Sequence, residues 1–454
     1  MPAEHAMQVI HLNGETPPEW EPFGQRWRQW RQRCDRRHWS TSWQGQAWLA
    51  GQLLFPSPWG DGELATQLSV RKGLVFGYVL HHRDRRALLL PGWLGGGHEL
   101  EALYLLREQV LLLLPSSLAP AQWFLLALAE LLPQLVTSKP WPEVRDDQRN
   151  RRLILEGHPN FAHQLLNVLS ALEELADSQA PVQWLGQEPF GPVRALHPSC
   201  NWCGSADVMV LGEVFELPLS QRPERLPGAM RQRIRLFCEQ RLGSSANALL
   251  DGLKAWRAGG GRVLWVSLKT RGACAEGLPA LVAAWMRELA RRGQPLPLLL
   301  LDGFSIQHGD TLANHYYGSS VAEMLEEERQ QAGEIRAALD GLELPVQEAI
   351  GLDLAESIAL GQAADGYLCH QGTVQHKLGW CQEVVPGVVH SGSWRSREGR
   401  HPWGGLGGLE PLWLPTHFSE DLEEGPRGRY RFCSDRLQDA AGWLADQWHW
   451  RTDG

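Results

Sequence analysis

The chain has 454 residues, of which 43% are hydrophobic and 21% charged, and it carries a formal net charge of -9. That length accommodates about two or three domains, and the apolar content is that of a folded globular protein, which excludes a disordered chain. The acidic balance argues against a general nucleic-acid binder, and the eight cysteines, with only Cys200 and Cys203 in a suggestive spacing, lack the second pair of a zinc site and read as reduced thiols.

The first residues, MPAEHAMQVIHLNG, have no charged segment followed by an apolar run, so no secretory signal peptide is expected. Arg26 to Arg37 interleaves arginine with Trp27 and Trp30, with Trp39 just beyond; this is a nucleic-acid or membrane-surface patch, or a helix with a solvated basic face. No second basic element accompanies it, which favours the solvated face. Leu74 to Leu80 and Arg86 to Leu90 read as a hairpin. The glycine turn GWLGGG then predicts a helix from about His98 to Leu113, stopped by Pro115, and a second helix over Ala119 to Leu135, broken at Pro133. The most apolar stretch, Leu118 to Val136, contains Pro120, Gln122, Glu130, Pro133 and Gln134, and is a poor membrane span. A cytoplasmic protein is expected, with peripheral membrane contact left open. Residues 1–147 read as an N-terminal α+β elaboration packed on the first of two lobes. The 22 tryptophans suit core and interface packing, with stacking on sugar rings as another use.

From Arg151 the pattern becomes strand (RRLILEG), helix (HPNFAHQLLNVLSALEELA) and strand (VQWLG), the unit of a parallel sheet. Asn160 is placed to cap the helix, and His163 and Asn167, four apart, share a face near its start. VMVLGEVFEL around Met209 and a helix near Met230 to Arg241 complete the first lobe, residues 148–249. After AGGG (Ala258 to Gly261) comes a second series of strands beginning at Arg262, Leu296, Val346, Gly366 and Gly387, joined by helices of the length that parallel neighbours need. These form a doubly wound domain from about Leu250 to Gly392, within a second lobe, 250–454, whose last helix, SDRLQDAAGWLADQWHW, is free to cross back onto the first half. The fold class is α/β, with two Rossmann-like lobes facing a cleft.

Chemistry in such sheets gathers at the carboxyl ends of strands. The segment Ala364 to Trp380 reads as strand, glycine turn and helix start, placing the amides of Gly372 and Thr373 where an anion binds. Lys269, Thr270 and Arg271 come after the first strand of the second series, Asp302, Gly303 and Phe304 after the second, and His370 after the fourth. A lysine and an arginine on one edge neutralise a diphosphate without requiring a metal. Asp302 either binds a ribose or orders its own loop. His163 is the candidate base, against the plainer role of a packed histidine, and Glu356 complements a helix dipole. No DxD cluster, GxxxxGK[ST] loop or GxSxG elbow is present.

NFAHQLLNVLSALEEL (Asn160 to Leu175) and GYLCHQGTVQHKLGWCQEVVPGVVH (Gly366 to His390) together resemble the two signature regions of GT-B glycosyltransferases of the family 61 type. The strand ends VSLKTR and LDGF are similar to the donor-binding half of GT-B fucosyl- and N-acetylglucosaminyltransferases. The resemblance spans about Arg151 to His390. It implies a nucleotide-sugar donor on the second lobe, metal-independent inverting transfer, no cofactor beyond that substrate, and a glycan, protein or other hydroxyl acceptor on the first. It places Lys269, Arg271 and the backbone of Gly372 and Thr373 at the donor diphosphate and His163 on the acceptor side; the strand-end positions of Asp302 and His370 add them to the donor-side candidates, and the shared helix start adds Asn160 and Asn167 to the acceptor side. Gln371 departs from the family by separating His370 from Gly372. The alternatives are a non-catalytic binding or scaffold protein of the same shape, or another nucleotide-using α/β enzyme such as an epimerase.

Overall fold

A computed structural model describes residues 7–12, 16–34, 43–50, 52–60, 62–72, 75–91, 100–114, 120–137, 152–157, 160–175, 181–203, 216–218, 226–272, 274–316, 318–372, 375–382, 385–393, 409–425 and 428–448. The chain is mixed α/β and forms two compact units, Met1–Gln187 with Val193–Glu224, and Glu188–Pro192 with Arg225–Gly454. The contact-defined division therefore falls near residue 225, ahead of the helices Gly228–Glu239 and Ser244–Ala258.

The first unit contains two sheets. One has seven strands, β1 (Gln8–His11), β2 (Leu54–Pro56), β3 (Glu63–Lys72), β4 (Val75–His82), β5 (Arg85–Pro91), β6 (Leu100–Leu105) and β7 (Val110–Leu113), in the order β1-β7-β6-β5-β4-β3-β2. All its pairs are antiparallel except β1 with β7. Thus the helix expected from His98 to Leu113 is instead a hairpin around Leu106–Gln109, with Gln109 at φ 55°. Every residue of LEALYL and VLLL is buried, so neither run shows the two-residue alternation that marks a strand in sequence. The helix Ala121–Thr137 packs Phe124, Leu128, Leu131 and Leu135 against this sheet. It runs through Pro133 instead of breaking there. Pro133 and Ala129, whose carbonyl loses its usual donor, are both on the solvent face, where that carbonyl is not stranded in the core.

The basic segment forms the helix Glu21–Gln32, with Phe23, Trp27 and Trp30 inward and Arg28 exposed. Its apolar side meets Phe55, whose ring centroid lies 5.3 Å from that of Trp30. The other sheet of this unit is parallel throughout, β8 (Arg152–Gly157), β9 (Pro181–Gly186), β10 (Asn201–Trp202) and β11 (Glu216–Pro218), in the order β10-β9-β8-β11. The predicted strand, helix, strand unit is β8, the helical segment Phe161–Leu175, and β9. The expected strand around Met209 lies outside the described residues apart from β11.

The second unit is doubly wound. Its strands are β12 (Val263–Ser267), β13 (Ala275–Glu276), β14 (Leu298–Asp302), β15 (His315–Tyr316), β16 (Ser319–Ser320), β17 (Val346–Glu348), β18 (Gly366–His370), β19 (Gly387–His390), β20 (Leu412–Trp413), β21 (Ser419–Asp421) and β22 (Tyr430–Phe432). Six of them form one parallel sheet in the order β17-β14-β12-β18-β19-β20. Alternate residues feed two cores. Leu264, Val266, Leu299, Leu301, Leu368 and Val388 face the helix Leu278–Arg291, and Val263, Trp265, Leu298, Leu300, Tyr367 and Val389 face Leu250 and Leu253 of Ser244–Ala258. The last helix, Leu437–Gln447, packs within this unit on Leu278–Arg291, with Trp448 beyond it in edge contact with Trp285 at 4.6 Å.

Candidate functional site

Numbered by order in the chain, the six strands of the parallel sheet run 3-2-1-4-5-6, the order of dinucleotide-binding sheets. Crossovers leave β12 to one side and return at β18 on the other, which makes the carboxyl ends of these two strands the switch point of the sheet. The strands that meet there share a sequence pattern: VLWVS, LLLLD, GYLCH and GVVH are apolar until their last residue. Those last residues, Ser267, Asp302, His370 and His390, are polar and buried. Burying a polar group is costly unless it is bonded, so the partners of Asp302, His370 and His390 define the edge.

At the switch point, Lys269 Nζ lies 3.1 Å from His370 Nδ1. Lys269 comes just after β12 and is half-buried, whereas His370 closes β18 and is 2% exposed. His370 pairs in register with His390, and their rings meet edge to face at 5.8 Å. His390 Nδ1 in turn lies 2.6 Å from the Tyr430 hydroxyl. Burial, aided by the nearby charge of Lys269, pushes the His390 imidazole down to about 3, so it is neutral at physiological pH.

At the end of β14, Asp302 is fully buried, and its Oδ2 accepts from Lys377 Nζ at 2.7 Å and from Ser357 Oγ at 2.8 Å. Lys377 also donates to the Gly303 carbonyl at 2.7 Å. The adjoining turn is closed by Glu328, whose two carboxylate oxygens accept from the Phe304 N–H at 2.9 and 3.0 Å. Gly303 lies so close to this carboxylate that a Cβ there would collide with it. Burial pushes the Glu328 carboxyl up to about 7. Arg271 places Nε and a terminal nitrogen 3.2 Å from Glu327 Oε2, which also accepts from Thr270 Oγ1 at 3.0 Å.

Among the donor-side candidates, then, Lys269 and His370 are together, Arg271 is paired with Glu327, and Asp302 is committed to Lys377. Gly372 sits at φ 142°, in the region that favours glycine. Thr373 lies outside the described residues. The helix expected after this turn is a single turn, His376–Gly379, and Gln371, Gln375, His376 and Lys377 around it are buried. One turn aligns too few peptide dipoles to present an anion site of its own.

On the first unit, Asn160 caps the helical segment by accepting from the Ala162 N–H at 2.9 Å. His163 is half-buried and precedes a π-helical stretch, Gln164–Leu169. The Asn167 backbone belongs to that stretch, and its side chain lies outside the described residues. Glu356 and Asp353 form a reciprocal cap at the start of Leu354–Leu360, and Glu356 Oε1 accepts from the Gly243 N–H at 3.0 Å.

Lys377, Glu328, Glu327 and His390 were not among the sequence candidates. For His390 the signal was present, a polar residue ending an apolar run, as it was for Ser267. Lys377 and Glu328 lie on helices, and nothing local announces that they reach the sheet edge. The described residues contain no group of three or more His, Cys, Asp or Glu arranged to hold a metal ion, and no helix long and apolar enough to cross a membrane. All eight cysteines are free thiols.

No family model and no curated protein matches the chain. Among solved structures, ADP-heptose LPS heptosyltransferase II of E. coli is similar over 65% of this chain and 99% of its own, at 11% identity and a TM-score of 0.35. A glycosyl transferase family 9 protein of Veillonella parvula matches over 54% of this chain and 66% of its own, at 11% identity and a TM-score of 0.27. The UDP-GlcNAc 2-epimerase of Methanocaldococcus jannaschii covers 75% of this chain and 80% of its own, at 10% identity and a TM-score of 0.28.

Proposed function

We propose that the second unit binds a nucleotide sugar at the switch point of its parallel sheet, and that the protein is a glycosyltransferase passing that sugar to a hydroxyl acceptor. The observation that carries this reading is Lys269, a lysine on the turn at the one place where sheets of this strand order bind dinucleotides. As the glycosidic bond to a diphosphate breaks, negative charge grows on the departing phosphate oxygen. An ammonium held there in advance stabilises that charge at little reorganisation cost. Metal-independent, inverting transfer belongs to the same proposal, as does the likeness of Gly366 to His390 to family 61-type and fucosyltransferase-like sequences. His163 is the proposed base for the acceptor hydroxyl, a glycan or protein group, with Asn160 and Asn167 beside it in sequence.

A melting-temperature panel of UDP, GDP, ADP, CMP and their sugars tests the binding. One nucleotide is expected to stabilise the protein, and Lys269→Ala to diminish that stabilisation sharply. No change with any of them at millimolar concentration would overturn the reading. Donor hydrolysis by wild type and His163→Ala tests the base: an unchanged rate removes His163 from the role.

A non-catalytic binding protein of the same architecture is the second reading. The observation favouring it is that Asp302 and Arg271, two residues expected at the donor, already have carboxylate or ammonium partners within the protein. Nucleotide binding without any donor turnover would select it.

A further inference from the structure

The contact between Lys269 and His370 has a direction. An ammonium group only donates, so His370 Nδ1 accepts, and a neutral imidazole in that role carries its proton on Nε2. The acceptor is fixed before any ligand arrives. His370 is the last residue of β18, its neighbour Gln371 bonds through its N–H to the His390 carbonyl at 2.9 Å, and its ring lies 5.8 Å from both the His390 and Tyr430 rings. Tyr430 is itself fully buried and bonded to His390. Lys269, by contrast, has a flexible four-carbon stem that loses considerable rotamer freedom whenever its ammonium is held. A rigid imidazole bonded to that ammonium removes part of this cost before a ligand binds.

We infer that His370 is a positioning residue that acts on a bound nucleoside diphosphate through Lys269, holding the ammonium at the switch point by way of Nδ1. The inference rests on the reading of Lys269 as the cation that meets the phosphates. It differs from the direct donor contact expected for His370 from its strand-end position in the sequence, because the buried ring meets the half-buried lysine and the lysine meets the ligand.

The geometry of the side chains gives a test. Asparagine carries a terminal atom at the position of the imidazole Nδ1, and glutamine reaches the position of Nε2. With the full-length protein, UDP, GDP and ADP are each titrated against wild type, Lys269→Ala, His370→Ala, His370→Asn, His370→Gln and the Lys269→Ala/His370→Ala double variant, with melting curves confirming that each is folded. For the diphosphate that binds wild type, His370→Ala is expected to weaken affinity roughly tenfold, the scale of losing one hydrogen bond to a charged group. His370→Asn should recover most of that loss and His370→Gln little of it, while His370→Ala should add nothing once Lys269 is gone. Rescue by glutamine instead of asparagine, or additive losses in the double variant, would overturn the inference in favour of a direct contact. A ligand-free arm separates this from the proposed function: acetylation of Lys269 by acetic anhydride, read by mass spectrometry, should be faster in His370→Ala than in wild type and return toward the wild-type rate in His370→Asn. Equal rates in wild type and His370→Ala would refute the positioning role whatever the nucleotide result. Absence of diphosphate binding to wild type with altered acetylation would refute the proposed function and leave only the lysine-holding contact.

Discussion

Lys377 Nζ and Asp302 Oδ2 stand 2.7 Å apart, with both side chains essentially withdrawn from water. Neither partner can be removed alone without leaving a buried charge. Asp302→Asn or Lys377→Met is therefore expected to cost about 3–5 kcal/mol of stability. The pair Asp302→Asn/Lys377→Met should cost clearly less than the sum of the two, because neither charge is then stranded. Urea titrations of the four proteins measure this. Additive losses would show that the ion pair is not the unit.

Glu328 gives a pH dependence with a definite sign. Its carboxyl is raised from an ordinary 4.5 to about 7, so the folded protein holds this proton more tightly than the unfolded chain does. Its contribution is fully present below pH 4.5 and is lost as pH rises through about 7. The loss is about 3 kcal/mol at most, from the size of the displacement. Glu328→Gln keeps an oxygen for the Phe304 N–H but does not ionise. Denaturant titrations from pH 4.5 to 8 should show the wild type losing stability relative to this variant; parallel curves would show that Glu328 ionises as freely as a surface carboxylate.

Two glycines of the second unit should respond oppositely to alanine. A Cβ on Gly387 would enter the ring of buried Tyr367, and Gly387→Ala is expected to destabilise by about 1–3 kcal/mol. Gly252 lies inside the helix Ser244–Ala258 with open space where its Cβ would go, so Gly252→Ala should stabilise by about 0.5–1 kcal/mol. Thermal melting of both variants checks the pair.

Glu327 occupies Arg271 and is half exposed. Glu327→Gln should change stability by less than about 1 kcal/mol, as for other exposed ion pairs. It should also free the guanidinium and tighten nucleoside diphosphate binding roughly threefold at low salt, with the gain fading at high salt. Calorimetric titration at two ionic strengths reads both. Weaker binding would mean instead that Glu327 holds Arg271 in its working position.

Much of the second unit was legible residue by residue. Runs such as LLLLD and GYLCH announce strands covered on both faces, and the polar residue ending each run marks the carboxyl edge of the sheet. Local sequence was less informative where burial erased periodicity, as in LEALYL and VLLL, which form strands although a helix was expected, and at Pro133, where packing on either side carried the helix through. In the segment around Gly372, the strand and turn were readable. The helix was not, because its length depends on how Gln375, His376 and Lys377 are buried.

By itself the sequence determined five of the six strands of the second unit's parallel sheet, those beginning near Arg262, Leu296, Val346, Gly366 and Gly387, and that Lys269, Asp302 and His370 stand at or just beyond strand ends. Only the tertiary structure decided the strand order that makes β12 and β18 neighbours, and hence that Lys269 meets His370 across 101 residues while Asp302 is claimed by Lys377 75 residues away. The physical reason is that strand formation is written in local side-chain pattern. Which buried charge finds which partner depends on where the crossovers bring distant segments together, and on the cost of leaving either one alone.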